Sequence, residues 1–351
     1  NSKQEEANYK ILDTGTPLVG DMPTKPTLTA PDGRPIYNQS ESQFKTTKFG
    51  LYNVGGAQRE VVSFSLSKLF NDGDSSLTFG YTHQNIDMIC SMQSSTSHSN
   101  YGKCPASDFN NRVATRSIYE TEHRLLATLS STHYFFGADK PTTFNLFLER
   151  KSGLPGTLTF DTYSSPGRYK TQAFGYERRV NDDSAHLLYI PSGLDDPLVC
   201  WVSCSNPNNA VGSEILNLLY NTYGLERFKG RILPPGVFEF PWQTSLDLKI
   251  TQILPGFRDD DGFVVTLGIE NLLNLIDDEE GVIRYGDYTG KIDVFDFQLT
   301  SDYSKYIFGN SRGADYAFRY NPSNPYELRK SAVNSIWRAQ LGVTYKFSLS
   351  F

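Results

Sequence analysis

Residues 337–351 read WRAQLGVTYKFSLSF, and apolar and other side chains alternate along the whole segment. The odd positions are all apolar or aromatic, while the even positions are polar except for one glycine. Because successive side chains of a β-strand point to opposite faces, this pattern predicts a strand with one apolar and one polar face. The predicted strand exceeds the usual length in soluble proteins, about five or six residues. It matches a tilted strand that crosses a bilayer.

The same alternation recurs upstream in pairs of segments that we interpret as hairpins. The pairs are 62–66 with 77–81, 125–129 with 144–148, 246–250 with 263–269, and 295–299 with 306–308. Short joints at 71–76 and 255–262 are rich in Gly, Asp and other residues that favour turns. Counting every alternating segment gives about eleven to thirteen strands. One helix is expected, at 213–220, inside a loop.

Short and long joints alternate along the chain, and the long ones are predicted at 84–116, 151–168, 191–242, 271–290 and 310–334. Outer-membrane barrels have short periplasmic turns and long extracellular loops. The sequence therefore predicts an all-β, antiparallel transmembrane β-barrel that carries its long loops on the extracellular side.

Composition excludes several other classes of protein. The net charge is −6, with 33 basic and 39 acidic residues, so we expect no nucleic-acid partner. No apolar run approaches the roughly 18 residues that a spanning helix needs. Aromatic residues make up 13% of the chain, which suits the aromatic girdles of a barrel. Residues 1–10 are polar and lack a signal peptide, so the chain is expected to be a mature product or a piece of a longer one.

No catalytic or metal-binding motif is evident. Ser65 and Lys68 fit the S-x-x-K pattern of some hydrolases, but on a strand they point to opposite faces. The five histidines show no ligand spacing. The acidic runs 259–261 and 277–280 could coordinate calcium, although solvated loop charges are the simpler interpretation. We therefore expect no enzymatic activity, no cofactor and no metal ion.

Four cysteines lie in predicted extracellular loops. Four cysteines allow three connectivities, and proximity along the chain favours Cys90 with Cys104 and Cys200 with Cys204. Free thiols and metal binding are the alternatives. Aromatic residues in the same loops are candidates for ligand contact: Tyr101, Phe109, Trp201 and Tyr223.

Five segments in the second half of the chain resemble one known family. They are GLERFKG at 224–230, PW at 241–242, LDLKI at 246–250, LPGF at 254–257 and ENLLNL at 270–275. In this order they resemble the carboxy-terminal barrel half of Oar-like TonB-dependent outer-membrane receptors. GRPIY at 33–37, SIY at 117–119 with HR at 123–124, and SGLP at 152–155 are similar to earlier barrel segments of that family. A last strand that ends in Phe also resembles the signal read by the barrel assembly machinery, carried here by Tyr345, Phe347, Leu349 and Phe351.

The chain departs from the family at LPPG, 233–236, where a Pro-Arg-Asn type of segment is more common. The resemblance implies a barrel of about 22 strands whose lumen is filled by an amino-terminal plug. Neither this plug nor the short energy-coupling box that precedes it is evident in this sequence. The resemblance therefore implies the carboxy-terminal part of a barrel, completed by a separate or cleaved amino-terminal part that contacts TonB.

The implied function is TonB-dependent import of a bulky ligand across the outer membrane of a Gram-negative bacterium. The alternative is a self-closed barrel with an adhesive or structural role.

Overall fold

The computed structural model describes residues 2–11, 28–29, 32–36, 49–89, 95–97, 100–101, 104–161, 186–202, 206–258, 261–286, 291–296, 318–322 and 329–347. The statements below refer to these residues.

A large antiparallel sheet dominates the fold. Its eight long strands are β1 (Ser2–Ile11), β2 (Phe49–Phe70), β3 (Ser75–Met88), β4 (His123–His133), β5 (Thr142–Lys151), β6 (Gln243–Pro255), β7 (Gly262–Glu270) and β8 (Arg338–Lys346). Each strand pairs with the next one along the chain, and Thr115–Arg116 adds a short pairing to the end of β3. This confirms a mostly β protein and the hairpins β2–β3, β4–β5 and β6–β7. Among the described residues β1 and β8 do not pair with each other, so the closed barrel stays a prediction.

The register of the sheet separates apolar from polar side chains. Directly opposed residues of neighbouring strands share a face. One row of such partners runs through Leu66, Phe79, Ala127, Leu148 and Leu246. A second row runs through Leu77, Leu129, Leu146, Leu248, Ile269 and Ala339. We call this side the apolar face. The rows that alternate with them are mainly polar and form the polar face; one of these rows runs through Asn145, Lys249, Gly268 and Gln340.

The connections differ sharply between the two ends of the sheet. At one end they are short, at 71–74, 134–141 and 256–261, and at the other end they are long, at 12–48, 89–122, 152–242 and 271–337. Since the strands are antiparallel neighbours, successive connections must alternate between the two ends. The predicted asymmetry of the joints is therefore present in the structure.

The hydrophobic core lies in the long connections and not in the sheet. The buried cluster includes Phe160, Trp201, Leu219, Leu233 and Ile292. None of its fourteen buried members belongs to β1–β8. The residues that pack together come from the connections 152–242 and 271–337, which therefore fold into a unit of their own.

Short elements build this unit. A five-stranded sheet has the order Val199–Trp201, Phe318–Pro322, Lys291–Asp296, Pro155–Asp161 and Phe238–Glu239. Two two-stranded pairings join Tyr189–Ile190 with Arg231–Ile232 and Arg284–Tyr285 with Arg329–Lys330. Its helices are α1 (Asn209–Asn217), α2 (Leu272–Ile276) and α3 (Ala332–Ser335), with single turns at Leu218–Thr222 and Glu226–Phe228. Outside this unit, Leu28–Thr29 pairs with Pro35–Ile36 in the first long connection, and Asn71–Gly73 forms a turn between β2 and β3.

The helix α1 has a clear local cause. The side chain of Asn208 accepts a hydrogen bond from the backbone N–H of Val211, which caps the first turn. Ile215, Leu216 and Leu219 then face the core. The helix predicted at 213–220 is confirmed, although it begins four residues earlier. In the described part of the chain, no helix has the length and apolar character needed to cross a membrane.

Of the predicted hairpin of 295–299 with 306–308, the structure describes only residues 295 and 296. They end the strand Lys291–Asp296, which pairs in parallel with Pro155–Asp161 and antiparallel with Phe318–Pro322 in the unit of long connections. The hairpin itself therefore stays a prediction. Because β7 pairs directly with β8, the predicted loops 271–290 and 310–334 are parts of one connection. The predicted loops 151–168 and 191–242 likewise belong to the single connection 152–242. Alternation detected strands, but it could not tell which sheet they join.

Candidate functional site

The polar face of the sheet borders a cavity of about 570 Å³. Residues from five neighbouring strands line it, including Leu146, Leu248 and Ile269 of the apolar rows. Its polar and charged lining includes Asn145, Asp247, Lys249, Thr266 and Gln340. These residues lie on the face opposite the apolar rows. The cavity therefore offers hydrogen-bond donors, acceptors and charges of both signs to a polar occupant or to water.

The apolar face is open to its surroundings in this chain. Phe64 is 57% exposed, Leu341 is 70% exposed and Val343 is 62% exposed. A sheet normally buries its apolar face against another layer. In the described structure the hydrophobic core cluster contains no residue of these strands, so any cover of this face must come from outside the described residues.

A buried junction anchors the connection 271–337 to the sheet. Asn271 adopts the left-handed backbone conformation, at φ 54°, and its side chain is buried. Its side-chain amide donates to the carbonyl oxygens of Gly281, at 3.0 Å, and Ser335, at 3.1 Å. Its backbone N–H donates to Oδ1 of Asp247 at 2.8 Å. Asparagine tolerates this conformation better than most residues, which gives the ENLLNL segment a structural role.

One arginine links two of the long connections. Arg116 contacts Oε1 of Glu120 at 2.5 Å, Oε2 of Glu122 at 2.6 Å and Oε1 of Glu239 at 2.7 Å. Burial lowers the pKa of Arg116, but the hydrogen bonds to Glu120 and Glu239 outweigh it and raise the pKa above its ordinary value. Three carboxylates thus surround one cation.

Beside this arginine the structure brings two histidines and a glutamate together. Among the described residues, His83, Glu122 and His123 are the one group whose potential metal-ligand atoms lie within 4.8 Å of one another. His83 and His123 are directly opposed on β3 and β4, and their ring centroids are 5.1 Å apart. Nε2 of His123 lies 3.3 Å from Oε1 of Glu122. We call this group the His-Glu cluster.

The His-Glu cluster is held by its neighbours. Nδ1 of His123 lies 2.9 Å from the hydroxyl oxygen of Tyr81. The ring of Trp242 stacks on the His123 ring, with centroids 5.9 Å apart and planes inclined by 9°. The backbone N–H of His123 donates to Oγ of Ser152 at 3.1 Å. These contacts fix the position of one imidazole ring.

The sequence alone missed this cluster, because its members are far apart in the chain. The pairing of His83 with His123 depends on the register of β3 and β4, which a long connection separates. The pairing register of two strands can be predicted from sequence only when a short turn joins them. The sequence shows that Glu122 and His123 are adjacent, but it does not show that His83 lies opposite His123.

Three of the four predicted ligand-contact aromatics are buried. Tyr101 is 0% exposed, and the rings of Tyr101 and Phe109 flank the guanidinium of Arg112, whose carbon lies 5.0 Å from each ring centroid. Arg112 donates to the carbonyl oxygens of Tyr101, Cys104 and Phe109. Burial lowers its pKa to about 10, against the opposing effects of Tyr101 and Asp108. These rings pack the 89–122 connection, and ligand contact through them stays a prediction.

The other two aromatics lie in the core region. Trp201 is buried, and its indole N–H donates to the carbonyl oxygen of Leu194 at 2.8 Å. Tyr223 is half-buried against Phe238, and burial raises the pKa of Tyr223. Ligand contact by these two side chains is likewise untested.

Four of the remaining predicted residues lie outside the described residues: Cys90, Cys204, Leu349 and Phe351. Of the described cysteines, Cys104 and Cys200 carry no free thiol, but the predicted pairing stays a prediction. Tyr345 and Phe347 are described, and the Tyr345 hydroxyl donates to a carboxylate oxygen of Asp261.

Within the connection unit, Tyr189 and Asp196 form a buried hydrogen bond. The Tyr189 hydroxyl donates to Oδ2 of Asp196 at 3.0 Å, and Ser192 donates to the same oxygen through its backbone N–H and its hydroxyl. Burial, followed by the negative charge of Asp196, raises the pKa of Tyr189 well above its ordinary value. The aspartate therefore organises the turn at 190–198.

Comparison of the chain with known protein families, with curated proteins and with solved structures finds no match. The resemblance to Oar-like receptors, and what it implies, therefore stays a prediction.

Proposed function

We propose that this chain forms part of the wall of an outer-membrane transporter that binds a bulky ligand on its long connections and imports it with energy transmitted by TonB. One observation carries the membrane part of the proposal. The apolar face spans seven neighbouring strands; its large side chains are exposed on β2, β3 and β8 and half-buried on the strands between them, while the buried core cluster is built entirely from the connections. Lipid chains are the natural cover for such a face.

Strand length and connection pattern support the same assignment. The strands of the main sheet have 9 to 22 residues, and a strand tilted across a bilayer needs about 9 to 11. All the long connections leave one end of the sheet, as the extracellular loops of outer-membrane barrels do. The polar face with its cavity would then line the lumen.

The long connections would form the ligand platform. They fold around a buried core, and Arg116 ties 89–122 to 152–242 through Glu239. Arg34 of the first long connection donates to the carbonyl oxygen of Leu187 at 2.9 Å. A packed platform presents a fixed surface, which suits recognition of a large ligand at low entropic cost.

The proposal requires partners for β1 and β8. In lipid every backbone N–H and C=O group must be hydrogen-bonded, so the sheet must continue. The additional strands would come from residues that are not described or from a second chain carrying the plug and the TonB contact.

The experiment compares cells with and without a functional TonB complex. The chain is produced at its natural level, and uptake of candidate peptides, glycans and ferric chelates is measured in both strains. An importer loses uptake of its ligand when TonB is deleted, and ligand still binds to the cell surface. Uptake that is unchanged by deletion of TonB would refute energy coupling through TonB, whereas ligand adhesion without uptake in either strain would favour the adhesive or structural alternative.

A further inference from the structure

Three side chains of the described structure offer nitrogen and oxygen ligands to one transition-metal ion. We propose that His83, Glu122 and His123 bind one divalent ion, with Zn²⁺ as the preferred metal. Two imidazoles and one carboxylate form a donor set that zinc accepts in proteins. The site lies where β3 and β4 meet the long connection 89–122.

The geometry of the His-Glu cluster fits tetrahedral coordination. With zinc bonds of about 2.0–2.2 Å to N and O, two ligand atoms of a tetrahedron lie about 3.3–3.5 Å apart. The observed distance from Nε2 of His123 to Oε1 of Glu122 is 3.3 Å. This distance is long for a charge-assisted hydrogen bond, which favours about 2.7–2.9 Å, but it suits two atoms that share a metal ion.

The third ligand is His83. Its Nδ1 atom is shielded from solvent and has no hydrogen-bond partner in the described structure. A buried polar atom without a partner is costly, and coordination through Nδ1 would remove that cost. One possible ligand atom from each of His83, Glu122 and His123 lies within 4.8 Å of the other two, so the three side chains converge on one position.

The surroundings support the ligands. Tyr81, at Nδ1 of His123, orients that ring so that Nε2 points to the metal position, as outer-shell partners of zinc histidines do. Arg116 holds Oε2 of Glu122 and leaves Oε1 towards the histidines. Arg116 faces three carboxylates, Glu120, Glu122 and Glu239. The guanidinium of Arg150 lies over the Trp242 ring, 5.5 Å from its centroid, so both signs of charge surround the cluster.

The ion would join β3 and β4 at the base of the long connection. With three protein ligands, zinc keeps a fourth position open for water or for an incoming donor. This proposal stands apart from the proposed function, because it holds for any role of the sheet.

Cobalt titration of the full chain in detergent micelles tests the site. Co²⁺ replaces Zn²⁺ and gives intense visible absorption when it is tetrahedral. We expect one equivalent to bind, Zn²⁺ to displace it, and the variants His83→Ala and His123→Ala each to weaken binding about 100-fold or more. Tyr81→Phe should weaken it about 10-fold, since it removes only an outer-shell contact.

His133→Ala is the matched control, because His133 is the last residue of the strand that His123 begins. It should bind cobalt like the unaltered chain. Circular dichroism shows whether each variant is folded. Binding of Cu²⁺ beside His123 should quench the fluorescence of Trp242, and loss of this quenching in Trp242→Phe would show that the ion lies next to that ring. The proposal is overturned if no tetrahedral band appears, if His133→Ala weakens binding as much as His83→Ala, or if folded His83→Ala binds normally.

Discussion

Replacement of Leu341 by arginine tests whether the apolar face lies in lipid. Leu341 is the fourth residue of the nine in β8, so it lies near the middle of the strand. Its side chain is 70% exposed, and its opposed partner is Leu267. Its diagonal neighbours on the apolar face, Val265 and Ile269, are also apolar, so the new cation would find no carboxylate among them.

The two environments predict different free energies of unfolding. An exposed leucine in water is replaced at a cost within about 0.5 kcal/mol. Arginine near the bilayer midplane of a barrel costs about 2–4 kcal/mol, which corresponds to roughly 30- to 700-fold in the folding equilibrium. Gln340→Arg is the matched control, since Gln340 lies on the polar face and lines the cavity. It should cost less than about 1 kcal/mol.

The assay is urea unfolding of the full chain reconstituted in phosphatidylcholine vesicles, followed by tryptophan fluorescence. Phe347→Arg adds a depth comparison, because Phe347 lies just beyond the end of β8 and interfacial arginine costs only about 0–1 kcal/mol. We expect Leu341→Arg to be the most destabilised of the three. Equal stability of Leu341→Arg and Gln340→Arg would refute a lipid-facing apolar face, and a larger loss for Gln340→Arg would mean that the faces are reversed.

Three further predictions concern the long connections. Gly212→Ala should lower the unfolding temperature of the connection unit, because its Cβ would lie 2.6 Å from the buried ring of Trp201 and overpacking costs about 1–3 kcal/mol; Gly193→Ala, which meets no atom within 4 Å, is the control. Asn271→Asp removes two donated hydrogen bonds and should cost about 2 kcal/mol or more, seen as faster hydrogen exchange across 271–337; unchanged exchange would contradict the junction. The pKa of the Tyr189 hydroxyl is raised in the folded chain, so as the pH rises the unfolded chain loses this proton before the folded chain does. The contribution of Tyr189 to the free energy of unfolding is therefore full below about pH 10 and decreases above it. Tyr189→Phe should remove that part of the alkaline loss of stability, and identical pH profiles of stability for the two chains would disprove the prediction.

The strands β2 to β8 were predictable because their signal is local, whereas β1 has a mostly polar sequence without that alternation and was missed. Alternation over a few residues predicts a two-faced strand, and the turns 71–74 and 256–261 pair neighbouring strands at once. The segments containing Phe64, Leu129 and Val265 were therefore assigned correctly from their immediate neighbours. Pairing across a long connection has no such signal, and this is why the contact of His83 with His123 could not be predicted.

The connection unit was unpredictable for a related reason. Its core unites Phe160, Trp201 and Ile292, which lie in different parts of the chain and in short strands without long alternation. The strand at 291–296 shows the consequence, because its sequence alternates like a strand of the main sheet but it pairs with Pro155–Asp161. The aromatic residues of the connections were expected to meet a ligand, whereas Tyr101 and Trp201 are buried.

The apolar residues of this chain serve two separate purposes, and this division connects its composition to its proposed role. Those of the sheet alternate with polar residues and are half-buried or exposed, while many of those in the long connections cluster in a buried core. A strand with one polar face raises the average hydrophobicity very little, so the whole chain is only 38% hydrophobic. The sheet gains stability from backbone pairing and from its surroundings, whereas the connections gain it from packing. A ligand platform whose stability does not depend on the sheet core can change in sequence while the wall that carries it stays the same.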